Sequence, residues 1–351
     1  MVNVTLLDAG DTDAYDAFLQ SRAEATLYHS ARYRELLLRL LPCRADYLVA
    51  RRRGRIVGVL PLMRCDGSMG AVINSLPFFG SYGGVVAEDA AAAARLWAEF
   101  ARLLDDPEIA AATVIDSPFA ADAPGAEPSK STFTDWRIGQ FTRLDGDAGF
   151  GDRLAARIDG SARRNLRKAE SSGVHVAVEP DAIDFLEACH RANMAEIGGR
   201  AKPAGFFAVF PALFRAGLDH DIYVARIDGE PVAALLIFYY KSFVEYFTPV
   251  TLATHREQQP MSAILYRAMC DAARRGCRLW NWGGTWPTQT GVYRFKRKWA
   301  AEEVRYEYHT TLKREALLAV SRAELTRSYP WFYVLPFAAL AEAQPQLSHL
   351  P

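Results

Sequence analysis

Two stretches of this chain repeat one pattern of apolar and polar positions. "YLVARRRGRIVGVLPL", from Tyr47, and "IYVARIDGEPVAALLI", from Ile222, superimpose at a constant offset of 175 residues. Val49 falls on Val224, Ala50 on Ala225, Arg51 on Arg226, Gly54 on Gly229, Val57 on Val232 and Leu60 on Leu235. In each copy β-branched runs flank a short polar break holding a glycine free to take positive φ, which predicts two antiparallel strands and a tight turn. The surroundings repeat as well. A predicted helix precedes each hairpin ("SARYRELLLRLL" and "FAVFPALFRAGL"), and a third strand follows ("AVINSLPFFGSYGG" and "SFVEYFTPVT"). Then come a second helix ("AAAAARLWAEFARLL" and "MSAILYRAMCDAARRG") and a short apolar strand ("ATVIDSP" and "CRLWNWGG"). Two such units in register predict a duplicated α+β fold, each half a mixed sheet backed by helices.

Glycines and acids break the apolar pattern at "LDGDAGFG", Leu144 to Gly151, which places the expected boundary near residue 145. "APGAEPSKS" reads as a surface excursion before the last strand of the first half. A chain of 351 residues, half of them apolar, suits two domains with a core in each. Lys plus Arg equal Asp plus Glu at 41 each, which excludes a uniformly charged DNA-binding or membrane-coating protein and leaves only local patches. The five cysteines are scattered, without zinc or redox spacing, and predict a reducing, cytoplasmic setting. Acids in the first thirty residues argue against an export signal, and no apolar run is long enough to span a bilayer. "YPWFYVLPFAAL", Tyr329 to Leu340, is short and holds two prolines; it reads as a packed tail, with peripheral membrane contact left open.

Two segments carry candidate chemistry. "GSARRNLRKAESSG", Gly160 to Gly173, predicts a helix capped by Ser161 and ended by Gly173. Ala162, Leu166 and Ala169 share one side, and Arg163, Arg164, Arg167 and Lys168 fill the other. Such a stripe suits a phosphate, or is simply a solvated face. In "TGVYRFKRKWAAE", Thr290 to Glu302, helical spacing gathers Val292, Phe295 and Trp299 on one arc and Arg294, Arg297 and Lys298 opposite. Lys296 stands at the edge of the apolar arc beside Tyr293, so its partly dehydrated ammonium is a candidate oxyanion stabiliser; the competing reading is a snorkelling lysine with a wet head. Upstream, Gly283 and Gly284 offer close backbone approach, and Trp282 or Trp286 a pocket wall or plain core. Tyr82, Gly83 and Gly84 repeat that choice in the first half. No histidines pair at metal-binding spacing, and nucleophilic-serine and phosphate-cradling glycine motifs are missing, which sets metal and nucleotide hydrolysis aside.

With these residues in view the chain resembles the FemAB family, paired acyltransferase-type (GNAT) domains that move an aminoacyl group from aminoacyl-tRNA to an amine of a peptidoglycan precursor. The likeness spans nearly the whole length and rests on the order of "HSARYRELL", "YLVARRRGRIVGVLPLM", "LPFFGSYGGVV", "SARRNLRKAESSGVHV" and "TGVYRFKRKWAA". It implies two tandem GNAT-like domains, 1–145 and 146–311, with the final segment 312–351 packing back on the first. It places Phe295 and Lys296 at the acyl-transfer centre. Substrate-binding candidates are Tyr82, Gly83, Arg163, Arg164, Arg167, Trp282 and Tyr293. It further implies no tightly bound cofactor, with aminoacyl-tRNA as donor and a nucleotide- or lipid-linked sugar as acceptor. The general base is left to a carboxylate of the acceptor. Two departures matter. The chain lacks the coiled-coil arm of some relatives, and "HREQQPMSAI" lacks the glycines of an acetyl-CoA pyrophosphate loop. An acyl-CoA-dependent N-acyltransferase acting on an amino sugar, and a catalytically silent module binding nucleotide-linked sugars, stand as the alternatives.

Overall fold

The computed structural model describes residues 1–78, 82–119, 131–146, 149–336 and 339–340. It divides into two compact units, Met1–Trp136 with Tyr306–Pro351, and Arg137–Arg305. The division falls inside β9 (Phe133–Arg143), ahead of the glycine-rich stretch expected to mark it, and the later residues of β9 pair within the second unit. The "APGAEPSKS" excursion lies, up to residue 130, outside the described residues.

The first unit opens with β1 (Val2–Leu6), α1 (Thr12–Gln20), α2 (Ala31–Leu40) and β2 (Arg44–Ala45). The predicted hairpin is β3 (Leu48–Arg52) and β4 (Arg55–Leu60), followed by β5 (Met63–Gly67), β6 (Gly70–Asn74), β7 (Val86–Ala87), α3 (Ala90–Leu103) and β8 (Ile109–Ile115). The second unit holds α4 (Phe150–Arg157), α5 (Gly160–Ser171), β10 (His175–Val178), α6 (Ile183–Glu196) and α7 (Phe206–Leu213). Its hairpin is β11 (His220–Ile227) and β12 (Glu230–Tyr240), followed by β13 (Phe243–Thr251), α8 (Pro260–Arg274), β14 (Leu279–Thr285) and α9 (Thr290–Arg297). The chain ends with β15 (Glu302–Leu312) and α10 (Arg322–Ser328).

In the second unit the strands run in the order β10-β11-β12-β13-β14-β9, with β13 and β14 parallel and the other neighbours antiparallel. β12 is buried from Val232 to Tyr239, as expected of a strand covered on both faces. The first unit carries one sheet ordered β1-β3-β4-β7 and a run ordered β15-β8-β6-β5-β2, again with one parallel pair, β6 and β8.

The duplication extends to single hydrogen bonds. β3 pairs β4 as Leu48↔Leu60, Ala50↔Gly58 and Arg52↔Arg55, with a bulge after Ala50. β11 pairs β12 as Tyr223↔Leu235, Ala225↔Ala233 and Ile227↔Glu230, with a bulge after Ala225, so the register repeats at the same offset. Both turns place two successive residues at positive φ, Arg53 and Gly54 in one and Asp228 and Gly229 in the other. That is the turn whose twist matches a two-residue hairpin. Arg51 donates to the carbonyl of Gly54, and Arg226 to that of Gly229.

The halves differ after the hairpin. β12 is one strand of eleven residues, whereas its counterpart is cut into β4 and β5 around Pro61, which has no N–H for the ladder. The third strand is divided too: β6 pairs β5, and β7 returns to pair β4. The closing segment packs within the first unit, where Tyr329 is buried and its hydroxyl donates to the Gly70 carbonyl at 2.7 Å. A Cβ on Gly67 would meet the Tyr329 ring at 2.5 Å, so glycine there makes room for the ring.

The matched turns predict matched energetics. Gly54 and Gly229 sit at φ +80° and +86° with open space around the missing Cβ, so replacement by alanine costs backbone strain alone. Gly54→Ala and Gly229→Ala should each cost about 1–2 kcal/mol. Urea unfolding of the full chain checks this; a cost at one turn and none at the other contradicts the equivalence.

Candidate functional site

The site is built around α9. Gln289 precedes the helix, and Ala300 at φ 56° follows its end. Of the expected apolar arc, Trp299 is buried and Phe295 half-buried, while Val292 is 43 % exposed. The inward place is taken by Lys296, only 5 % exposed. The lysine therefore sits deeper than an edge position, and the snorkelling alternative fails. Its ammonium donates to the carbonyls of Gly283 and Gly284, each at 3.3 Å, and to Thr285 Oγ1 at 2.8 Å. Three acceptors match its three N–H groups. Burial pulls its pKa down from the ordinary lysine value to about 8.

β14 supplies those acceptors because it is irregular. Its pairing with β9 slips between Asn281 and Gly284, and Gly283 adopts φ +74°. Asn281 accepts from the Gly283 N–H at 2.7 Å and donates to Glu245 at 2.6 Å, anchoring the slip to β13. Thr285 in turn donates to Gln140 Oε1 at 3.3 Å, and Gln140 Nε2 donates to the Tyr293 carbonyl at 3.3 Å. The glycines thus meet the lysine with their carbonyls. Tyr293 is half-buried, with its hydroxyl donating to Glu303.

Phe295, one residue earlier, lines a cavity of about 340 Å³ with Asn193, Thr251, Arg256, Gln259 and Met261 among its walls. Gln259, at φ 57°, precedes α8, and Pro260 occupies the first turn. The helix opens on this cavity and presents the positive end of its dipole there. Asn193 both donates to and accepts from the backbone of Thr251, tying α6 to the end of β13. Arg256 is paired with Glu196 at the rim.

The other expected residues separate into groups. Trp282 is buried in the second core beside Trp280, Trp299 and Tyr246, with its indole N–H donating to Thr142; it is a core residue. The Arg137 guanidinium lies 3.0 Å over the Trp286 ring. Tyr82 is fully buried, with its ring edge-on to those of Tyr306 and Phe119. A Cβ on Gly83 would fall 2.7 Å from Ser75 Oγ, and one on Gly84 2.6 Å from the Ile115 carbonyl, so both glycines serve close chain packing. On α5, Asp159 rather than Ser161 caps the start, accepting from the Ser161 N–H. Arg163 leaves the basic stripe: its Nη1 donates to the carbonyls of Ala155, Ala156 and Ile158 at the end of α4. Arg164, Arg167 and Lys168 stay exposed.

Sequence reasoning missed the cavity-lining Asn193, Arg256 and Gln259, and also Lys202. The latter, in the run "GGRAKPAG", is buried over the rings of Phe206 and Phe247 at 5.6 and 5.0 Å. Burial lowers its pKa to about 7. In the first unit Asp116, Glu307 and His309 bring their ligand atoms within 4.8 Å of one another, a grouping that histidine spacing along the chain could not reveal.

Comparison with known proteins now bears on this geometry. Residues 157–297 match the family model described as an acetyltransferase (GNAT) domain. Among solved structures, FemX is similar at 12 % identity over 90 % of this chain and 98 % of that one, with a TM-score of 0.68. The C-terminal domain of a putative lysylphosphatidylglycerol synthetase from Agrobacterium fabrum is similar at 14 % identity, 93 % and 99 % coverage and a TM-score of 0.60. A tandem GNAT protein from the clavulanic acid biosynthesis pathway follows at 16 % identity, 89 % and 98 % coverage and a TM-score of 0.53. No curated protein sequence matches the chain. The protein is an acyltransferase of the GNAT fold. It carries two such units in tandem and is FemAB-like in fold.

The two buried ammonium groups predict a titration. Because Lys296 loses its proton near pH 8 when folded and near 10.5 when unfolded, stability from this group rises as pH climbs through that interval. NMR of labelled lysine should show two side chains titrating far below the rest, near 7 and near 8. Lys296→Met should remove the signal near 8. If that signal persists in the variant, the assignment is wrong.

Proposed function

We propose that the protein forms an amide by moving an aminoacyl group from aminoacyl-tRNA to an amine of a peptidoglycan-precursor-like or secondary-metabolite acceptor. The observation that carries this reading is the neighbourhood of Phe295 and Lys296 on α9, one residue walling a cavity and the next burying an ammonium. The donor's acyl group occupies the cavity. The acceptor amine attacks the ester carbonyl, whose oxygen gains negative charge. Lys296 exchanges one of its long carbonyl contacts for that oxygen, and in a water-poor setting the interaction is strong. The C–O ester bond then breaks, the amide remains, and the amine's proton leaves with the ribose hydroxyl. A carboxylate of the acceptor relays that proton. The exposed Arg164, Arg167 and Lys168 offer charge to a diphosphate or to RNA. One structural neighbour is by name a synthetase of lysylphosphatidylglycerol, which accords with an aminoacyl donor and a lipid-linked acceptor. Among the described residues no helix is long and apolar enough to cross a membrane, so such an acceptor would be met at the membrane surface.

The second reading is an acyl-CoA donor with an amino sugar or polysaccharide precursor as acceptor; the acetyltransferase description of the matched family model favours it. Pro260 in the first turn of α8 removes one N–H from the helix end that would hold a pyrophosphate, which favours the first.

Charged tRNA and acyl-CoA, supplied separately to the full chain, decide between them: transfer from acyl-CoA alone overturns the aminoacyl reading. Lys296→Met should lower turnover by about 10²–10³-fold with substrate binding retained. The wild-type rate should fall as pH rises through about 8, where the ammonium loses its proton. A Lys296→Met variant that folds and turns over normally removes the lysine from the mechanism.

A further inference from the structure

We propose that the end of β8 and the facing residues of β15 bind a divalent transition metal, with Asp116, Glu307 and His309 as its protein ligands. Antiparallel pairing sets Tyr308 opposite Ile115 and His309 opposite Val114, and the Asp116 N–H donates to the Glu307 carbonyl at 2.9 Å. Glu307 therefore faces Asp116 across the ladder. Strand alternation puts His309, two residues on, on the same side as Glu307. The three ligand atoms lie within 4.8 Å of one another. His309 Nε2 and Asp116 Oδ2 are 3.0 Å apart. That is roughly the separation of two adjacent ligands each about 2.1 Å from a common ion.

The charges favour an ion here. Two carboxylates and an imidazole converge on one point here, a set of donors that a cation can bridge. His309 is only 8 % exposed, and its Nδ1 has no hydrogen-bond partner, so the ring's one polar contact is directed into the carboxylate group. A ring buried for packing alone would gain by bonding at both nitrogens. An ion on Nε2 turns a proton-mediated contact between two acceptors into coordination. Asp116 is 37 % exposed at its side chain, and Glu307 is half-exposed, which gives an ion and its remaining water ligands a way in. Two carboxylate oxygens with one imidazole nitrogen suit Zn²⁺ or Mn²⁺ over Mg²⁺ and Ca²⁺, which take oxygen ligands. Bound there, the ion fastens the end of β8 to the strand that leads into the closing segment.

Calorimetric titration of the chelator-treated full chain with Zn²⁺, and electron paramagnetic resonance with Mn²⁺, test this. The expected result is one ion per chain at roughly 10 μM or tighter, with a raised melting temperature in Zn²⁺ and none in Mg²⁺. Glu307→Gln, a half-exposed change that keeps the side chain's shape, should weaken binding at least about tenfold, and Asp116→Asn with Glu307→Gln should abolish it. Equal metal-free melting temperatures show that the variants fold. The five cysteines are all free, so an isotherm unchanged in the double variant would assign the metal to thiols and overturn the proposal. Absence of stoichiometric binding to the wild type overturns it equally.

Discussion

An ammonium group removed from water must find acceptors for its protons, and in the second unit this requirement shapes everything near Lys296. A regular strand cannot meet it, because its carbonyls are spent on neighbouring strands. β14 meets it by leaving register after Asn281, which turns two successive carbonyls, those of Gly283 and Gly284, toward the lysine. The left-handed φ of Gly283 explains the glycine, and the bonds of Asn281 to Gly283 and Glu245 hold the distortion in place. Thr285 and Gln140 continue the network to the backbone of α9 itself, so helix and strand fix each other. The depressed pKa follows from the same burial.

Much of the fold was legible because it rests on local chemistry that repeats. The hairpins need only alternating apolar residues and two left-handed turn positions, and both copies spell these out in adjacent residues. The basic helix and its glycine end were legible for the same reason: the apolar side of Ala162 and Ala169 is buried, and Gly173 stands at φ +70°. The capping residue was misplaced because Asp159 and Ser161 are equally good caps on paper. The distinction lies in which carboxylate reaches which N–H.

Residues whose part depends on how separate elements pack against one another were not legible. Arg163 looks like its exposed neighbours until α4 ends beside it and offers three carbonyls. Lys296 stood at the edge of an apolar arc, yet it is enclosed almost completely, and Lys202, for which the residue pattern held no signal, is buried as well. The separation of Asp116 from His309 hides their contact in the same way. Helical spacing did identify the neighbourhood of Lys296. It could not supply the depth, since depth is set by the irregular strand below it.

The duplicated hairpin also shows how the second unit makes room for the cavity beside Phe295. At the shared offset, Gly58 pairs Ala87 where Ala233 pairs Thr251, so Ala87 occupies in the first unit the place of a cavity-lining residue. In the second unit β13 runs straight to that point, and α8 begins after a left-handed Gln259 and Pro260, leaving space that Phe295 and Asn193 border. In the first unit the corresponding strand is divided between β6 and β7, and the returning chain presses Gly83 against Ser75 and Gly84 against Ile115 while burying Tyr82. A Cβ at either glycine would collide with its neighbour, so the chain there packs too closely for any side chain. The same hairpin code is therefore followed by different strand paths in the two units. The paths part at Pro61, whose missing N–H ends β4 where β12 runs on.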